Sequence, residues 1–352
     1  MNTRKRMLVF SEGSGMPVQI SGNGPTAQFD EAVLSTLRMS DPALSDLVLG
    51  YTNAESVRKV LFPEFTVVKE AGKVPGVGRE AFQRHNVSRA VQGETNRMGF
   101  KTGSIAFSLN EDSLGFMIDD REVEEWAVPR DNLKVIRQTV VNQALDLAQE
   151  LNAATLATTS ANYAAGMASN TSPVTAGAFD WAGAGDPVKD LLEQRELVRK
   201  QIGRYPTVGL FDPTAWRLFR TNSAALSYFS KFVSGSGPEN LIITEKLAAV
   251  VLELKEVVVG KGVYTTSVAA GFGDNPAMND IWSTVQTGNA VLAYTGIGMQ
   301  EPTYGIKFVK KGYPQATTYR WEPTHSDVYE VQHIYQQLIN IQQAGALLYG
   351  IS

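Results

Sequence analysis

One segment, from Pro129 to Ala161, limits the possible folds of this chain more than any other part of the sequence. It reads PRDNLKVIRQTVVNQALDLAQELNAATLATTSA, and neither Gly nor Pro follows Pro129 within it. Pro is tolerated in the first turn of a helix, where its missing N–H is not needed. Apolar residues recur three and four positions apart, at Leu133, Ile136, Val140, Ala144, Leu147 and Leu151. This spacing predicts one amphipathic helix about 45 Å long.

The opposite face of this helix is rich in uncharged polar groups. Its residues are Gln138, Thr139, Asn142, Gln143, Asp146 and Gln149. An apolar shoulder beside the stripe consists of Val141, Leu145 and Ala148. A neutral polar face of this kind suits a surface that another domain or another chain covers. The alternative interpretation is a helix that lies across its own domain.

Composition narrows the class of protein. The chain has 352 residues, of which 43% are hydrophobic, and this length corresponds to about two domains. It contains no Cys, which excludes disulfides and thiolate metal sites. The charged fraction is 19%, below the usual ~25%, so we expect a comparatively neutral surface that favours subunit contacts.

Charge and hydropathy argue against two further classes. A net charge of −4 and a pI near 5.6 are unlike those of a protein that wraps nucleic acid. No apolar run reaches the ~18–20 residues that a membrane-spanning helix needs. The start, MNTRKRMLVF, lacks the apolar stretch and the cleavage site of a signal peptide. We therefore expect intracellular production and no membrane partner.

The first part of the chain, residues 1 to about 45, has no clear helical or strand period. Its segment SEGSGMPVQISGNGPTA is rich in Gly, Ser and Pro. Two interpretations stay open. The segment is either a disordered tail or an arm that becomes ordered on a neighbouring subunit.

Residues 62–109 predict a long β-hairpin with a polar, Gly-bearing middle. The apolar residues of its arms are Phe65, Val67 and Val68 on the outgoing side and Ile105, Phe107 and Leu109 on the returning side. The middle has a basic excess that includes Arg79, Arg84, Arg89, Arg97 and Lys101. Extended arms of ~15–17 residues would reach ~50 Å, whereas a compact protein of this size has a radius of gyration of only ~20 Å. Because an isolated two-stranded ribbon is marginally stable, we expect another molecule to cover it.

An extended hairpin has two alternatives. The first is an insertion that folds back on the core of its own chain. The second is a nucleic-acid arm, but only Phe82 and Phe100 stand among the basic residues. Because such binding uses aromatic side chains as stacking platforms, this composition argues against it.

Five carboxylates lie just before the long helix, at Asp119, Asp120, Glu122, Glu124 and Glu125. Clustered carboxylates can bind Mg²⁺ or Ca²⁺. Their spacing matches no calcium loop, however, and Arg121 stands among them. We favour a solvated acidic face, or the electrostatic partner of the basic hairpin on a neighbouring copy.

Residues 180–300 alternate helix and strand patterns. Asp186-Pro187 and Asp212-Pro213 are helix starts, with Asp as the N-cap and Pro at the first helical position. The segments TVGLF, EVVV and AVLAY predict short strands between the helices. EPTYGIKFVKKGYPQATTYRWE predicts two more strands, and the β-branched residues of DVYEVQHIYQQLI favour a final strand over a helix. The expected fold class is α+β.

The sequence offers no candidate for catalytic chemistry. The three histidines, His85, His325 and His333, have no metal-ligand spacing. The sequence has no nucleophile elbow and no phosphate-binding loop. We assign no catalytic, cofactor-binding or metal-binding residue and expect no cofactor. A soluble enzyme with an unrecognised site is the rival from another class, and it predicts a small, discrete oligomer.

The order of these parts resembles the major capsid proteins of tailed bacteriophages, whose fold is shared with encapsulin shells and with the floor of herpesvirus capsids. Four segments carry the resemblance: RDNLKVIRQTVVNQALDLAQELNAATL in the long helix, Trp181 followed by DPVKDLLEQRELVRKQIGRYPTVGLFDPTAWRLF, then IWSTVQTGNAVLAY, and EPTYGIKFVKKGYPQATTYRWEP. The resemblance covers about residues 45–352, and its specificity lies in the combination and order of the segments.

The resemblance implies the phage major-capsid fold with five parts. These are an N-terminal arm (1–61), an extended β-hairpin loop (62–109), a long spine helix, the peripheral domain that contains this helix (110–179 and 302–325), and an axial domain (180–301 and 326–352). The loop would lie over a neighbouring subunit, and its basic residues would meet the carboxylates of Asp119 to Glu125 there.

The function that the resemblance implies is mechanical. Copies would assemble through hexamers and pentamers into the icosahedral head of a tailed phage, enclosing double-stranded DNA without sequence-specific binding. Assembly would take place in the host cytoplasm, and the product would be part of the virion. Portal and scaffolding proteins, and a decoration protein, are the further partners that it implies. An encapsulin-like nanocompartment shell with a protein cargo is the alternative.

Overall fold

The computed structural model describes residues 56–77, 80–89, 91–100, 102–126, 130–175, 177–232, 241–267, 274–296 and 301–352, together with residues 53 and 298. The predicted N-terminal arm lies outside these residues except for its end. The described helices are α1 (Arg58–Leu61), α2 (Asp120–Trp126), α3 (Arg130–Thr158), α4 (Pro187–Ile202), α5 (Pro213–Thr221), α6 (Ser223–Phe229) and α7 (Glu245–Val251).

The described strands form two larger sheets and two small ones. They are β1 (Glu64–Val67), β2 (Ala71–Val77), β3 (Thr102–Ser108), β4 (Asn110–Asp119), β5 (Ala168–Ser169), β6 (Val208–Phe211), β7 (Glu256–Val259), β8 (Val263–Tyr264), β9 (Asn279–Asp280), β10 (Ala290–Ala293), β11 (Gly305–Lys310), β12 (Gln315–Trp321), β13 (Ser326–Ile339) and β14 (Gly345–Leu348). Helices and mixed sheets together confirm the α+β class.

The long helix α3 has 29 residues, which confirms the predicted helix. Its buried face matches the predicted stripe only in part: Leu133 is buried, and Leu147 and Leu151 pack against a core. Val140 is 59% exposed, whereas Val141 and Leu145 of the predicted shoulder are buried against Val331 of β13. The sheet presents Val331 and Phe116 to this part of the helix, so tertiary packing selects which of two neighbouring apolar rows is covered.

The first sheet is built around β13. Strand β4 pairs with one edge of β13, from Ser326↔Asp119 to Tyr335↔Asn110. On the other edge, β12 pairs with the first half of β13 and β11 with the second half. Strand β1 then adds to β11 in parallel, at the edge of the sheet. The predicted strand over 326–339 is therefore confirmed, and it hydrogen-bonds within this sheet, although the sequence division grouped it with residues 180–301.

The predicted hairpin exists, but its outgoing arm was assigned to the wrong residues. Strand β2 pairs with β3 from Ala71↔Ser108 to Val77↔Thr102, so the returning arm was predicted correctly. Phe65 belongs instead to β1 in the first sheet, where its ring lies edge-on to Phe308 of β11 at 6.2 Å. Phe65 therefore contacts the first sheet and not the hairpin, and it remains 50% exposed.

The second sheet has the order β5-β14-β10-β6-β7. Helices α4 to α6 pack on it around a cluster of buried aromatic rings, which includes Trp181, Phe211, Trp216, Phe219 and Phe229. The predicted helix starts are confirmed, since Asp186 accepts a hydrogen bond from Lys189 N and Asp212 from Ala215 N. Gly203 ends α4 with φ 73°, a conformation that glycine adopts without strain.

The C-terminal half of α3 lies in a second core between the two sheets. Ala153, Ala154 and Ala157 are fully buried there, and these small side chains let the helix approach its neighbours closely. The rings of Tyr163 and Tyr304 stack at 5.2 Å in the same core. This arrangement fixes α3 against both sheets at one end, while its other end packs on β4 and β13.

Candidate interaction surfaces

The base of the β2–β3 hairpin is fixed to the first sheet. Phe107 stacks on Phe308 with ring centroids 4.7 Å apart. Leu109 N donates to Glu70 O at 2.7 Å, and Ser108 N donates to the side-chain oxygen of Gln336 at 2.8 Å. The hairpin therefore leaves the sheet at a defined place.

The middle of the hairpin carries exposed basic side chains. Arg84, Arg89 and Arg97 are all exposed, and Arg89 donates to Gly93 O at 2.6 Å. None of the ion pairs among the described residues involves these three. The other two predicted contact residues, Arg79 and Lys101, lie outside the described part of the chain.

Large apolar side chains are exposed on the same segment. Val87 is 90% exposed, Val91 96% and Phe100 66%. At the turn Glu80–Phe82 the segment contacts the body of the chain, since Glu80 is buried and the ring of Phe82 lies close to Gly203. Neither a fully extended nor a fully collapsed hairpin describes this arrangement.

The acidic segment is partly neutralised by its own chain. Asp120 receives two hydrogen bonds from Arg320, at 2.5 and 3.0 Å, and these bonds raise the pKa of the guanidinium. Glu122 is paired with Arg137 of α3. The sequence alone did not identify these partners, because Arg320 lies on β12, far along the chain, and only the sheet brings it to α2.

The remaining predicted carboxylates have different surroundings. Asp119 accepts a hydrogen bond from Arg121 N at 2.8 Å, close to the start of α2. Glu124 is exposed. The side chain of Glu125 lies outside the described part of the chain. Among the described residues, no ion pair joins a predicted basic residue of the hairpin to a predicted carboxylate of the same copy.

A buried polar junction that the sequence did not reveal joins α3 to α1. The carboxylate of Glu150 accepts from Val57 N and Arg58 N, both at 3.1 Å, and from Trp282 Nε1 at 2.8 Å. Arg58 also donates to Asp146 at 2.8 Å. These bonds satisfy the first N–H groups of α1, which its own turns cannot reach.

A second junction joins α3 to the first sheet. The ammonium group of Lys307, 5% exposed, donates to Glu64 and to Gln149, both at 2.8 Å. Burial lowers the pKa of Lys307, although the hydrogen bond and charge of Glu64 act in the opposite direction. Gln149 was predicted on the polar face of α3, opposite the apolar stripe. It is buried, and its Nε2 atom lies 3.0 Å from Nδ1 of His333.

These clusters have the character of structural supports. In the described part of the chain, no group of three or more His, Asp or Glu residues is placed to hold a metal ion. No described helix is both long and apolar enough to cross a membrane. The hairpin and the acidic segment carry exposed charged or apolar side chains and are the candidate surfaces for interaction.

Comparison with known proteins identifies a curated relative and several structures with the same fold. No protein-family model matches the chain. A curated relative, the major capsid protein of Burkholderia phage BcepMu, is 32% identical over 327 residues. The match covers 91% of this chain and 99% of the relative, so the two proteins correspond along almost their whole lengths.

Solved structures share the fold at lower identity. A phage-related protein from Bordetella bronchiseptica RB50 superposes with a TM-score of 0.63 at 22% identity, over 89% of this chain and 98% of that one. The capsid structure of cyanophage P-SCSP1u gives 0.55 at 13% identity, over 86% and 90%. A virus-like particle from Pyrococcus furiosus gives 0.51 at 11% identity, over 84% and 92%. At these identities the likeness establishes the fold alone.

Proposed function

This chain belongs to the major capsid protein family of bacteriophages, and from that premise we propose that its copies assemble through hexamers and pentamers into an icosahedral shell around double-stranded DNA. The role is structural and non-enzymatic. Assembly takes place in the host cytoplasm with the help of portal and scaffolding proteins, and the shell becomes part of the virion.

The match to a phage major capsid protein along nearly its whole length carries this proposal. Two features of the chain support it. A segment with exposed Val87, Val91 and Phe100 needs a covering surface that a single copy does not supply. A net charge of −4 suits a wall that encloses DNA without gripping it.

Electron microscopy tests the shell directly. The chain is expressed alone and then with its neighbouring genes, and the purified product is examined in negative stain. We expect uniform shells, or rings of five and six subunits. A persistent monomer or dimer in both preparations would contradict the proposal and favour the small oligomer that a soluble enzyme predicts.

The contents of the shell separate the phage head from an encapsulin-like compartment. Shells produced during phage growth are treated with nuclease and then opened. We expect protected double-stranded DNA. A protein cargo without protected DNA would support the encapsulin-like alternative instead.

The proposed division into domains follows the sheets, except that the short strand β5 lies within 110–179 and pairs with β14 of the second sheet. Residues 110–179 and 302–325 with β13 form the peripheral domain, and 180–301 with the end of the chain form the axial domain that meets symmetry mates. Strand β13 is moved to the peripheral domain because it hydrogen-bonds with β4, β11 and β12. Residues 62–109 remain the extended loop, apart from β1 at its start.

The basic residues of the loop meet acidic surface on a neighbouring copy in this proposal. Among the predicted carboxylates, Asp119 and Glu124 are better placed for this than Asp120 and Glu122, whose charges are matched by arginines of their own chain. Arg79, Lys101 and Glu125 belong to the same proposed contact.

Charge reversal tests the contact. We expect the double variant Arg84→Glu/Arg89→Glu to lower the yield of shells at low salt, because like charges then face each other across the interface. The matched control is Arg84→Lys/Arg89→Lys, which keeps both charges and is expected to assemble normally. Equal yields of shells from the two variants would argue against the contact.

A further inference from the structure

Three side chains are linked in series across the contact between α3 and the first sheet, and we call them the Gln149 junction. Nζ of Lys307, on β11, donates to Oε1 of Gln149, on α3, at 2.8 Å. Nε2 of the same amide lies 3.0 Å from Nδ1 of His333, on β13. Lys307 and Gln149 are buried, and His333 is half-buried. One side chain of the helix is thus held between side chains of two neighbouring strands.

The chemistry of these groups determines where the protons lie. An ammonium group only donates, so the amide atom of Gln149 that faces Lys307 is the carbonyl oxygen. The NH₂ group of the amide therefore faces His333 and donates to a lone pair on Nδ1. A histidine with this lone pair is neutral and carries its one ring proton on Nε2. Gln149 thus selects a single protonation state of His333.

A second ring proton on His333 is incompatible with the Gln149 junction. It would place the N–H of Nδ1 against the NH₂ group of Gln149, so that two donors face each other. Turning the amide over moves the conflict to Lys307, where the NH₂ group would then face the ammonium group. Either arrangement leaves a buried donor without an acceptor, which is costly in a protein interior.

The charges around His333 oppose or only partly favour an added proton. Burial lowers the pKa of His333, and four charged groups on four elements also act on it. They are Lys307 on β11, Arg58 on α1, Asp146 on α3 and Asp112 on β4. The two cations lower this pKa as burial does, and the two carboxylates act in the opposite direction. Both carboxylates have partners of their own. Asp146 accepts from Arg58 at 2.8 Å, and Asp112 accepts from the hydroxyl of Tyr335.

The Gln149 junction lies between two apolar attachments of α3. Nearer the start of the helix, Val141 and Leu145 pack on Val331 of the sheet. Nearer its end, the alanines from Ala153 to Ala157 lie in the second core. Because both attachments are apolar, a change of charge at His333 leaves them in place. A loss of the junction therefore acts on the middle of the helix.

We propose that the Gln149 junction is a proton-sensitive switch: a proton taken up from solvent at Nδ1 of His333 breaks the bond to Gln149 and loosens the middle of α3 from the first sheet. Solvent reaches the ring because His333 is only half-buried. All three side chains belong to one copy, so the inference does not depend on the proposed assembly.

The direction of the pH dependence follows from the neutral state of His333. The folded chain favours the neutral ring, so the junction contributes its full stability above the ordinary histidine pKa of ~6.5. Below that value the unfolded chain binds the proton more readily than the folded chain does. The contribution is therefore lost progressively as the pH falls towards the lowered pKa of His333 in the folded chain. The switch operates in mildly acidic solution.

Hydrogen exchange measured by mass spectrometry tests the switch. The full-length chain is compared with His333→Asn, whose Oδ1 can accept from Gln149 in place of Nδ1 but cannot gain a charge. Comparing the two at the same pH removes the effect of pH on the chemical rate of exchange. In peptides that cover residues 143–152, we expect equal exchange at pH ~7.5. At pH ~5 we expect the unsubstituted chain to exchange at least about threefold faster than the variant.

The matched control is His325→Asn. His325 is exposed and has φ 48°, a conformation that Asn tolerates better than most residues. We expect this variant to show the same pH dependence as the unsubstituted chain. Peptides of α4 serve as the internal reference and should exchange equally in all three proteins. Equal exchange of residues 143–152 in the unsubstituted chain and in His333→Asn at pH ~5 would overturn the inference, as would an acid effect that extends equally to α4.

Nuclear magnetic resonance of the unsubstituted chain gives a second test that needs no variant at position 333. The chain has three histidines, so labelling their ring nitrogens yields few signals. We expect His333 to carry its proton on Nε2 at neutral pH and to become charged at a lower pH than His325. A proton on Nδ1 at neutral pH, or charging of both rings at the same pH, would overturn the inference.

Discussion

Single residues beneath α3 show how the chain tolerates charge in its interior. Lys307 is almost fully buried, yet Glu64 and Gln149 satisfy two of its three N–H donors. Nζ of Lys307 also lies over the ring of Tyr335, 5.3 Å from its centroid, in a cation–π contact that stabilises the charge. Glu64 and Gln149 therefore stabilise the buried charge of Lys307.

Replacing Gln149 by Leu tests this role. The variant removes an acceptor from a buried ammonium group, so we expect the free energy of unfolding to fall by about 1–3 kcal/mol. The control is Gln143→Leu on the same helix, where the side chain is only half-buried. Urea unfolding of the free subunit measures both. Equal stability of the two variants would show that Gln149 does not support Lys307.

Two Asp residues, Asp186 and Asp212, cap helices that pack on the second sheet. We expect their replacement by Ala to lower the free energy of unfolding by unequal amounts. Asp212 is fully buried and accepts from Ala215 N, Ser283 Oγ and Gly288 N, at 2.5, 2.8 and 2.8 Å. Asp186 caps α4 in a more exposed setting. We expect Asp186→Ala to cost about 1 kcal/mol, as N-caps do. Asp212→Ala should cost more, because it leaves buried donors unpaired; thermal unfolding that ranks the two in the opposite order would contradict this.

At the scale of elements, the packing of α3 on the sheet predicts that the same substitution at two adjacent valines changes the free energy of unfolding by different amounts. Val141 is 7% exposed and Val140 is 59% exposed. Val141→Thr buries a hydroxyl in an apolar contact and is expected to lower the free energy of unfolding by about 1–3 kcal/mol. Val140→Thr is expected to change it by less than ~0.5 kcal/mol. Urea unfolding that found the larger loss for Val140→Thr would support the stripe predicted from sequence.

The same helix marks the limit of what its sequence could predict. Periodicity is a local property, so the helix from Pro129 to Ala161 was predicted almost to its observed bounds, Arg130–Thr158. Its buried face was predicted only in part, because Leu133 is buried as expected, whereas Val140 is exposed and Val141 packs on Val331, far along the chain. The outgoing arm failed for a related reason, since β1 pairs with β11 and no local pattern reveals that partner.

The interaction surfaces were predictable only in part. The basic character of the hairpin could be seen directly in the sequence, and Arg84, Arg89 and Arg97 are exposed as expected. The acidic segment was also visible, but its neutralisation by Arg320 requires the sheet to be known. Gly203 at the end of α4 had a local signal, because a glycine after a helix predicts its end. Its proximity to Phe82 is a tertiary contact and had no local signal.

At the scale of the whole molecule, the least covered part of the chain also carries sites for trypsin. Arg84, Arg89 and Arg97 are exposed on a segment with little regular structure, which is the kind of segment that proteases cut first. We expect brief digestion of the free subunit to cut after these residues and leave the two sheets intact. Mass spectrometry of the fragments identifies the positions.

Assembly should reverse this sensitivity. If neighbouring copies cover the hairpin, the same three sites become resistant in intact shells, because a protease needs a locally opened and accessible segment. The internal control is a site away from the hairpin, such as Lys255 between α7 and β7, which is exposed in the single chain. If only the hairpin sites become resistant to trypsin while Lys255 is still cut, neighbouring copies cover the hairpin. If both become resistant, assembly has reduced access to the whole chain. Equal cleavage of the hairpin in shells and in free subunits would mean that it stays uncovered, and the contacts proposed for it would then be wrong.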